Sequence, residues 1–240
     1  RRFPGTGEAV SRWTVRIGRT PEGVEAVVLL TVEELAVNEL RETFHHWVKT
    51  LAFPIKGGKL ASPLASVAAR SLNHCRPALD PEALAVAKEV YDEVEPDLKA
   101  FITRYTGDLT GVLHKNLLST GQTARKEAEE RYRSRQGEIS TLIVENTLAK
   151  LERAIERLKD ERQQGLLFDA AESLEALDRS IEEKKQELER RRKHYEEVRA
   201  QLEAERERVL NDLLPRRFAI SGPAHVFPVC VEIRLPGDGR

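Results

Sequence analysis

The sequence has no methionine, only two cysteines and few aromatic side chains, and each shortage narrows the class of protein. Aromatic residues make up 5% of 240 positions and hydrophobic residues 40%, which is little for one large spherical core. Cys75 and Cys230 are too few for a disulfide framework, so we expect a reducing, cytoplasmic setting. No apolar run approaches the ~20 residues of a membrane-spanning helix, and no signal-peptide pattern is present.

An excess of one charge is also missing. The 39 Lys and Arg are balanced by 40 Asp and Glu, so the net charge of -1 gives no general attraction to nucleic acid or anionic lipid. Charged residues still form 33% of the chain, and this composition favours long helices. The first residue is Arg1, and with no methionine present we expect the sequence to be a piece of a longer protein.

Both ends of the sequence have the patterns of strands. Trp13, Val15 and Ile17 alternate with polar residues, and residues 20–23 (TPEG) supply a turn before the apolar run 24–30, which together predict a β-hairpin. The segment 217–235 predicts strands that return to the same base. Between them, apolar positions over 32–52 predict a short amphipathic helix, and 53–63 predicts a loop.

A longer helical region follows. Asp80, Pro81 and Glu82 form a helix-start signal, and Pro96 predicts a break or kink further along. Gly107 and Gly111 lie four residues apart, which favours close packing against another helix.

The strongest periodicity lies between 121 and 215. Apolar residues recur every seven positions from 174 to 209, and four of the six alternating seam positions are polar, as in a coiled coil whose interface is only partly apolar. The preceding segment shows a phase slip between Leu142 and Leu148, which predicts a stutter. Gly165 is suited to end one helix before the next begins. We therefore predict two antiparallel helices, stopped by Pro215.

These patterns predict a mainly α protein: a long antiparallel coiled-coil hairpin on a small α+β base formed by the N-terminal hairpin and the C-terminal strands. The predicted regions are a hairpin, short helix and loop at 1–79, a helical segment at 80–120, the arm at 121–215 and strands at 216–240.

Catalytic motifs do not emerge from the sequence. Gly57-Gly58-Lys59 is the nearest approach to a phosphate loop, but Leu60 follows where a magnesium-binding hydroxyl would stand. His45, His46, His74 and Cys75 lack the spacing of a zinc site. We therefore predict no catalytic residues, no metal site and no cofactor in this chain, and neither binding nor hydrolysis of ATP.

Two groups of residues are candidate binding sites. The nucleic-acid candidates are basic: Arg12, Arg16, Arg19, Arg190, Arg191, Arg192, Lys193, Arg216 and Arg217. Those from the two ends of the chain are expected to lie together at the base of the arm. The alternative is that they pair with neighbouring acids and are structural. The partner-binding candidates form an apolar triplet at the predicted turn: Leu166, Leu167 and Phe168.

Several stretches resemble the C-terminal region of bacterial Swi/Snf-type helicases, most closely the helicase-like subunit of the DISARM anti-phage system. They are 133–140 (RSRQGEIS), 164–168 (QGLLF), 214–218 (LPRRF) and 227–236 (FPVCVEIRLP), within a similarity that covers most of 13–236. The resemblance implies an ATP-dependent DNA translocase whose two motor lobes lie N-terminal to this region. None of the motor motifs is in this chain, so no catalytic role is carried over.

Two classes of function follow as expectations. In the first, the chain is a non-catalytic accessory region that guides double-stranded DNA or docks a partner beside the motor, with the motor domains and other defence-system subunits as partners. In the second, it is a stand-alone coiled-coil scaffold for protein interaction with no role in nucleic-acid binding. Salt-dependent DNA binding separates the two, and neither involves a membrane.

Overall fold

The computed structural model describes residues 12–65, 75–165 and 171–237. The chain divides into two compact units. The sheet unit comprises the described residues of Arg1–Leu118 and Arg217–Arg240, and the helical unit comprises those of Ser119–Arg216. The protein is mainly helical and carries one six-stranded sheet among its described residues, in agreement with the predicted fold class at that level.

The sheet has the strand order β4-β3-β2-β6-β1-β5. Its strands are β1 (Arg12–Gly18), β2 (Ala26–Val37), β3 (Thr43–Lys56), β4 (Lys59–Leu60), β5 (Cys75–Pro77) and β6 (His225–Pro236). β1 runs parallel to β6, whereas the other neighbours are antiparallel.

Both ends of the chain contribute strands to one sheet, as predicted, but the predicted hairpin of β1 with β2 is wrong. β6 lies between them, with Val28 and Val15 both opposite Ile233. The predicted turn does form, since Gly23 has a φ of 70°. The turn thus joins β1 to β2 although β6 lies between them. β6 takes this place because it can hydrogen-bond to one edge of each strand and bury apolar side chains beside both.

The helix predicted over 32–52 is also wrong, because this segment forms most of a β-hairpin. In β2, buried and half-buried positions alternate as far as Val37, which is the period of a strand. β3 contains four β-branched and three aromatic residues among its 14, and both types favour strands. The predicted loop at 53–63 is partly strand as well, since β3 continues to Lys56 and β4 follows a two-residue turn.

Each of the two hairpin turns is stabilised by a side chain. Between β2 and β3, Asn38 accepts a hydrogen bond from the backbone of Glu42 at 2.9 Å, and Arg41 adopts a left-handed φ of 65°. Between β3 and β4, the amides of Gly57 and Gly58 donate to the two carboxylate oxygens of Glu25, at 2.7 and 3.1 Å. The Gly57-Gly58 amides, considered above as a phosphate loop, thus bind a carboxylate of the protein itself.

One helix covers one face of the sheet. Helix α1 (Pro81–Ile139) begins as predicted, with the Asp80 carboxylate accepting from the amide of Glu82 at 3.3 Å. Its residues Ala87, Tyr91, Val94 and Leu98 pack on even-numbered residues of β2 and on Phe53, Ile55 and alternate residues of β6. This cluster is the main hydrophobic core.

The structure corrects two predictions for α1. The helix is not broken at Pro96, an exposed residue, and continues through it to Ile139. Gly107 and Gly111 do not pack closely against anything, because a methyl group built on either would meet no atom within 4 Å. The spacing of these glycines therefore does not reflect helix packing.

The helical unit contains α2 (Ala149–Gly165), α3 (Ala171–Arg208) and α4 (Leu214–Arg217), with π-helical segments at Ser140–Leu148 and Val209–Leu213. Side-chain pairs join the chain before Gly165 to α3. Arg162 donates to Asp178 at 3.0 Å, Arg192 to Glu152 at 2.6 Å and Arg199 to Ser140 at 3.2 Å. As the residue number falls in one partner it rises in the other, so the two stretches run antiparallel.

The apolar positions of the predicted seam are buried or half-buried, whereas three of its polar positions, Arg191, Glu205 and Asp212, are exposed. Ile181 and Leu188 are buried with Ile155, and the other repeating apolar positions of α3, including Leu174 and Leu202, are half-buried. Polar residues in the alternating seam positions have partners; Arg191, for example, pairs with Glu187 at 2.6 Å.

The predicted phase slip between Leu142 and Leu148 falls within the first π-helical segment, whose wider turns shift the phase of a helix. Pro215 does not stop the helix, which ends at Arg217 instead. Among the described residues, no helix combines the length and apolar character needed to cross a bilayer.

Candidate functional site

Half of the basic run of α3 is engaged by acids of the helical unit. Arg191 lies 2.6 Å from Glu187, and Arg192 lies 2.6 Å from Glu152 across the helix pair. Arg190 donates only to a backbone carbonyl, that of Gln186, and Lys193 has no acidic partner among the described residues. A shallow depression here is also lined by two acids, Glu189 and Glu196. The surface is therefore of mixed charge, with two available cations.

The cations predicted at the N-terminal strand are partly engaged. Arg12 is described only as a backbone position, opposite Cys230. Arg16 lies 3.2 Å from Glu232, which also accepts from Arg234 at 2.6 Å. Arg19 follows β1 and is exposed. The Glu232 carboxylate therefore offsets part of the positive charge that Arg16 could present to a phosphate, although Arg234 shares that carboxylate.

The cations where the second long helix ends are also paired. Arg216 lies 3.4 Å from Asp212, one helical turn earlier. Arg217 donates to both carboxylate oxygens of Glu42, each at 3.2 Å. The hydrogen bond from Asn38 lowers the pKa of Glu42, and Arg217 lowers it further. Arg217 therefore fastens the β2–β3 turn to the segment that follows the helix.

The predicted gathering of these arginines does not form within the sheet unit. Arg16 stands opposite Arg234, whereas the backbone of Arg217 accepts from Asn38, just beyond the end of β2 where Leu35 faces His225. Positions 225 and 234 are nine residues apart on one strand, or about 30 Å. Arg16 and Arg217 therefore lie at opposite ends of the sheet. The predicted partner-binding triplet, Leu166, Leu167 and Phe168, lies outside the described residues.

Sequence reasoning missed a polar cluster between α1 and the sheet. Glu34 is 3% exposed, and its carboxylate accepts from the hydroxyl of Tyr105 at 2.5 Å and meets Nε2 of His45 at 2.9 Å. Nζ of Lys49 lies 3.4 Å from the same hydroxyl. Burial raises the pKa of Tyr105, and the Glu34 carboxylate raises it further.

The cluster links α1 to the sheet through hydrogen bonds. Both oxygens of Glu34 have partners, so the buried carboxylate carries no unpaired group toward a ligand. The signal that could have found it is the period of β2: Glu34 occupies an inward position between Val32 and Ala36, where a polar residue needs a partner. Within the described ranges, no group of three His, Cys, Asp or Glu side chains is arranged to hold a metal ion.

A third feature is the outer edge of β3. The chain after β4 runs beside the end of this strand, where the amides of Ala61 and Leu64 donate to the carbonyls of Pro54 and Ala52. The half of β3 before Ala52 has no such neighbour among the described residues, and Trp47 and Val48 there are 64% and 59% exposed.

The class defined by these features is an α+β sheet unit joined in sequence to a unit of antiparallel helices, with many surface cations paired to acids and, among the described residues, one strand edge without a neighbour. No family model, curated protein or solved structure matches the chain.

Proposed function

We propose that this chain is a non-catalytic accessory region of an ATP-dependent Swi/Snf-type DNA translocase of anti-phage defence, and that it docks a partner protein beside the motor. The support for the parent is the resemblance at 133–140, 164–168, 214–218 and 227–236. The docking role rests on one observation in particular: five candidate DNA-contacting arginines are held by acids of the chain itself. They are Arg16, Arg191, Arg192, Arg216 and Arg217.

The docking element in this proposal is an antiparallel coiled-coil hairpin over 121–215. Support comes from the antiparallel order of its side-chain pairs and from the apolar cluster of Ile155, Ile181 and Leu188. Such an arm presents long solvated faces and one tip, which suits it to hold a second protein at a fixed distance from its base.

Direct contact with duplex DNA is the second candidate, and the availability of Arg190 and Lys193 favours it. Two neighbouring cations one turn apart would neutralise about two phosphates, which gives weak and steeply salt-dependent binding. Arg19, exposed beyond β1, is the third available cation from the predicted set.

A single charge reversal distinguishes these roles. The 240-residue chain is titrated against a fluorescent DNA duplex at low and at physiological salt, in parallel with Arg190→Glu/Lys193→Glu. The docking role predicts weak binding that this double substitution does not change more than twofold. A loss of tenfold or more, absent in the matched reversal Arg191→Glu/Arg192→Glu, would establish the DNA role instead.

The role beside a motor is tested in the longer parent. Residues 119–216 are replaced by a short Gly-Ser linker, and ATP turnover and co-purification of the other defence-system subunits are measured. We expect basal turnover to persist and subunit association to be lost. Unchanged association would contradict the docking role, and a parent without a motor would overturn the proposal as a whole.

A further inference from the structure

The edge of β3 has a set of outward backbone groups that hydrogen-bond to none of the described residues. In an antiparallel strand, the N–H and C=O of alternate residues point to the same side. The carbonyls of Ala52 and Pro54 point outward, because they accept from the amides of Leu64 and Ala61, whereas that of Ile55 points inward and accepts from Glu25. By this alternation the outward groups further back along β3 belong to Thr50, Val48 and His46.

These outward groups stand beside two exposed apolar side chains. Val48 is 59% exposed on the face of the sheet away from α1, and Trp47 is 64% exposed on the α1 face. Thr50 and His46 flank Val48 and are also exposed. A long exposed strand edge with apolar side chains on both faces is a template for another strand.

We propose that a second copy of this chain pairs antiparallel with this edge, β3 against β3, with Val48 on the two-fold axis. The pairing would join the two sheets into one through about six backbone hydrogen bonds, donated and accepted by His46, Val48 and Thr50 of each copy.

In this register the side chains of the two copies are complementary. Val48 meets Val48 of the second copy, and His46 meets Thr50, so the face away from α1 brings no like charges together. On the α1 face Trp47 stands opposite Lys49 of the second copy, in the non-hydrogen-bonded pairing where side chains are closest. A lysine beside an indole ring is a favourable cation–π pair, and the two-fold axis forms it twice. Lys49 lies on that face, where its Nζ is 5.5 Å from the centre of the Tyr105 ring.

Neighbouring registers are worse. Moving the axis to Lys49 would set two ammonium groups opposite one another and would require outward groups at Ala52, whose carbonyl is already used. Moving the axis to Trp47 would extend the ladder to Phe44, where the pairing with β2 shifts by one residue between Ala36 and Val37. The register centred on Val48 uses only the regular part of the strand.

The self-association is tested by sedimentation velocity on the 240-residue chain over a range from a few to several hundred micromolar. Edge pairing of five residues buries less than a standard interface, so we expect half-dimerisation on the order of 100 µM. Val48→Lys should weaken association tenfold or more, because edge lysines block pairing. The matched control is Phe227→Lys, which changes a 47% exposed side chain on the same face of the interior strand β6 and should leave association unchanged.

A cross-link tests the register. Val48→Cys should form a disulfide-linked dimer under mild oxidation, because opposite residues of a hydrogen-bonded pair have Cα atoms about 5.5 Å apart, within disulfide range. Thr50→Cys, on the same edge, should stay monomeric, as should the unsubstituted chain with Cys75 and Cys230. A chain that stays monomeric at the highest concentration, binds only foreign extended peptides, or cross-links through Thr50→Cys and not Val48→Cys would overturn the proposal.

Discussion

Glu34 is a carboxylate held in the apolar layer between a strand and a helix. Its partners come from two elements, Tyr105 on α1 and His45 on β3, so it ties the helix to the hairpin. Removing one donor from a buried acceptor leaves that acceptor partly unsatisfied, and this cost exceeds the worth of an average hydrogen bond.

Tyr105→Phe should therefore lower the free energy of unfolding by about 1–3 kcal/mol, measured by urea denaturation. The reason is the loss of the hydroxyl that donates to Glu34. The control is the same substitution in a Glu34→Leu background, where no carboxylate needs the hydroxyl and the change should be small. An equal loss in both backgrounds would show that ring packing, not the hydrogen bond, is responsible.

Tyr105 also predicts a pH dependence. Because its pKa is raised in the folded protein, the folded state keeps the hydroxyl proton over a pH range in which the unfolded state loses it. The stabilisation is thus fully present below the ordinary tyrosine pKa, near 10, and is lost as pH rises through the folded value. The stability advantage of the parent chain over Tyr105→Phe should therefore shrink as pH rises above about 10, and a constant difference would contradict this.

Two glycines give opposite predictions for the same substitution. Gly107→Ala should raise stability by about 0.5–1 kcal/mol, because it removes backbone freedom from an exposed helix position with open space around it. Gly237→Ala should lower stability by about 1–3 kcal/mol, because the added carbon would lie 2.2 Å from Cγ2 of Ile17. Thermal unfolding of the two variants checks the signs, and a loss at Gly107 would mean that an atom does pack there.

The helix pair is tested at Leu188, which is 9% exposed in its seam. Leu188→Asp should destabilise the helical unit by about 3 kcal/mol, because it places an unpaired charge among Ile155 and Ile181. Gln186→Asp, an exposed position two residues earlier, is the control and should cost well under 1 kcal/mol. Helical circular dichroism against temperature measures both, and similar losses would mean that the seam is not buried in solution.

The sequence predicts the elements unevenly, for physical reasons. The seven-residue repeat from Leu174 to Val209 corresponds to α3 and the start of the π-helical segment after it, because five successive seven-residue intervals fit only a helical period. Over 32–52 the apolar residues fit a helix and a strand alike, and the deciding feature is the turn at Asn38–Glu42, whose side-chain bonds and left-handed Arg41 no periodicity reveals. Glu34 is missed for the same reason, since its burial is evident only once β2 is a strand.

At the scale of the whole chain, shared β character at both ends predicts a common sheet but not its order. Insertion of β6 between β1 and β2 depends on pairings between residues about 200 positions apart, such as Val28 with Ile233. Local sequence patterns do not indicate which distant residues will pair. The separation of Arg16 from Arg217 follows directly from that order, so the predicted basic cluster fails with the hairpin.

A chain that ends at Gly222 should not form the sheet, because the strand that joins β1 to β2 is missing. We expect loss of amide protection over Val27–Val32 in hydrogen exchange, whereas the seam of α3 should stay protected. Addition of a peptide spanning 219–240 should restore protection in β2. A truncated chain with native protection in β2 would mean that β2 and β3 form a stable sheet without β6.

The central place of β6 has a consequence for synthesis on the ribosome. Val37 and His225 are 188 positions apart, so β2 emerges long before the strand that covers its inner edge. At roughly 5–20 residues per second, this interval lasts about 10–40 s. Throughout it, a nascent chain carries an apolar strand with one unsatisfied edge, which is the form that chaperones recognise. The sheet of this protein is thus completed only when β6 emerges, after all of the long helices have been synthesised.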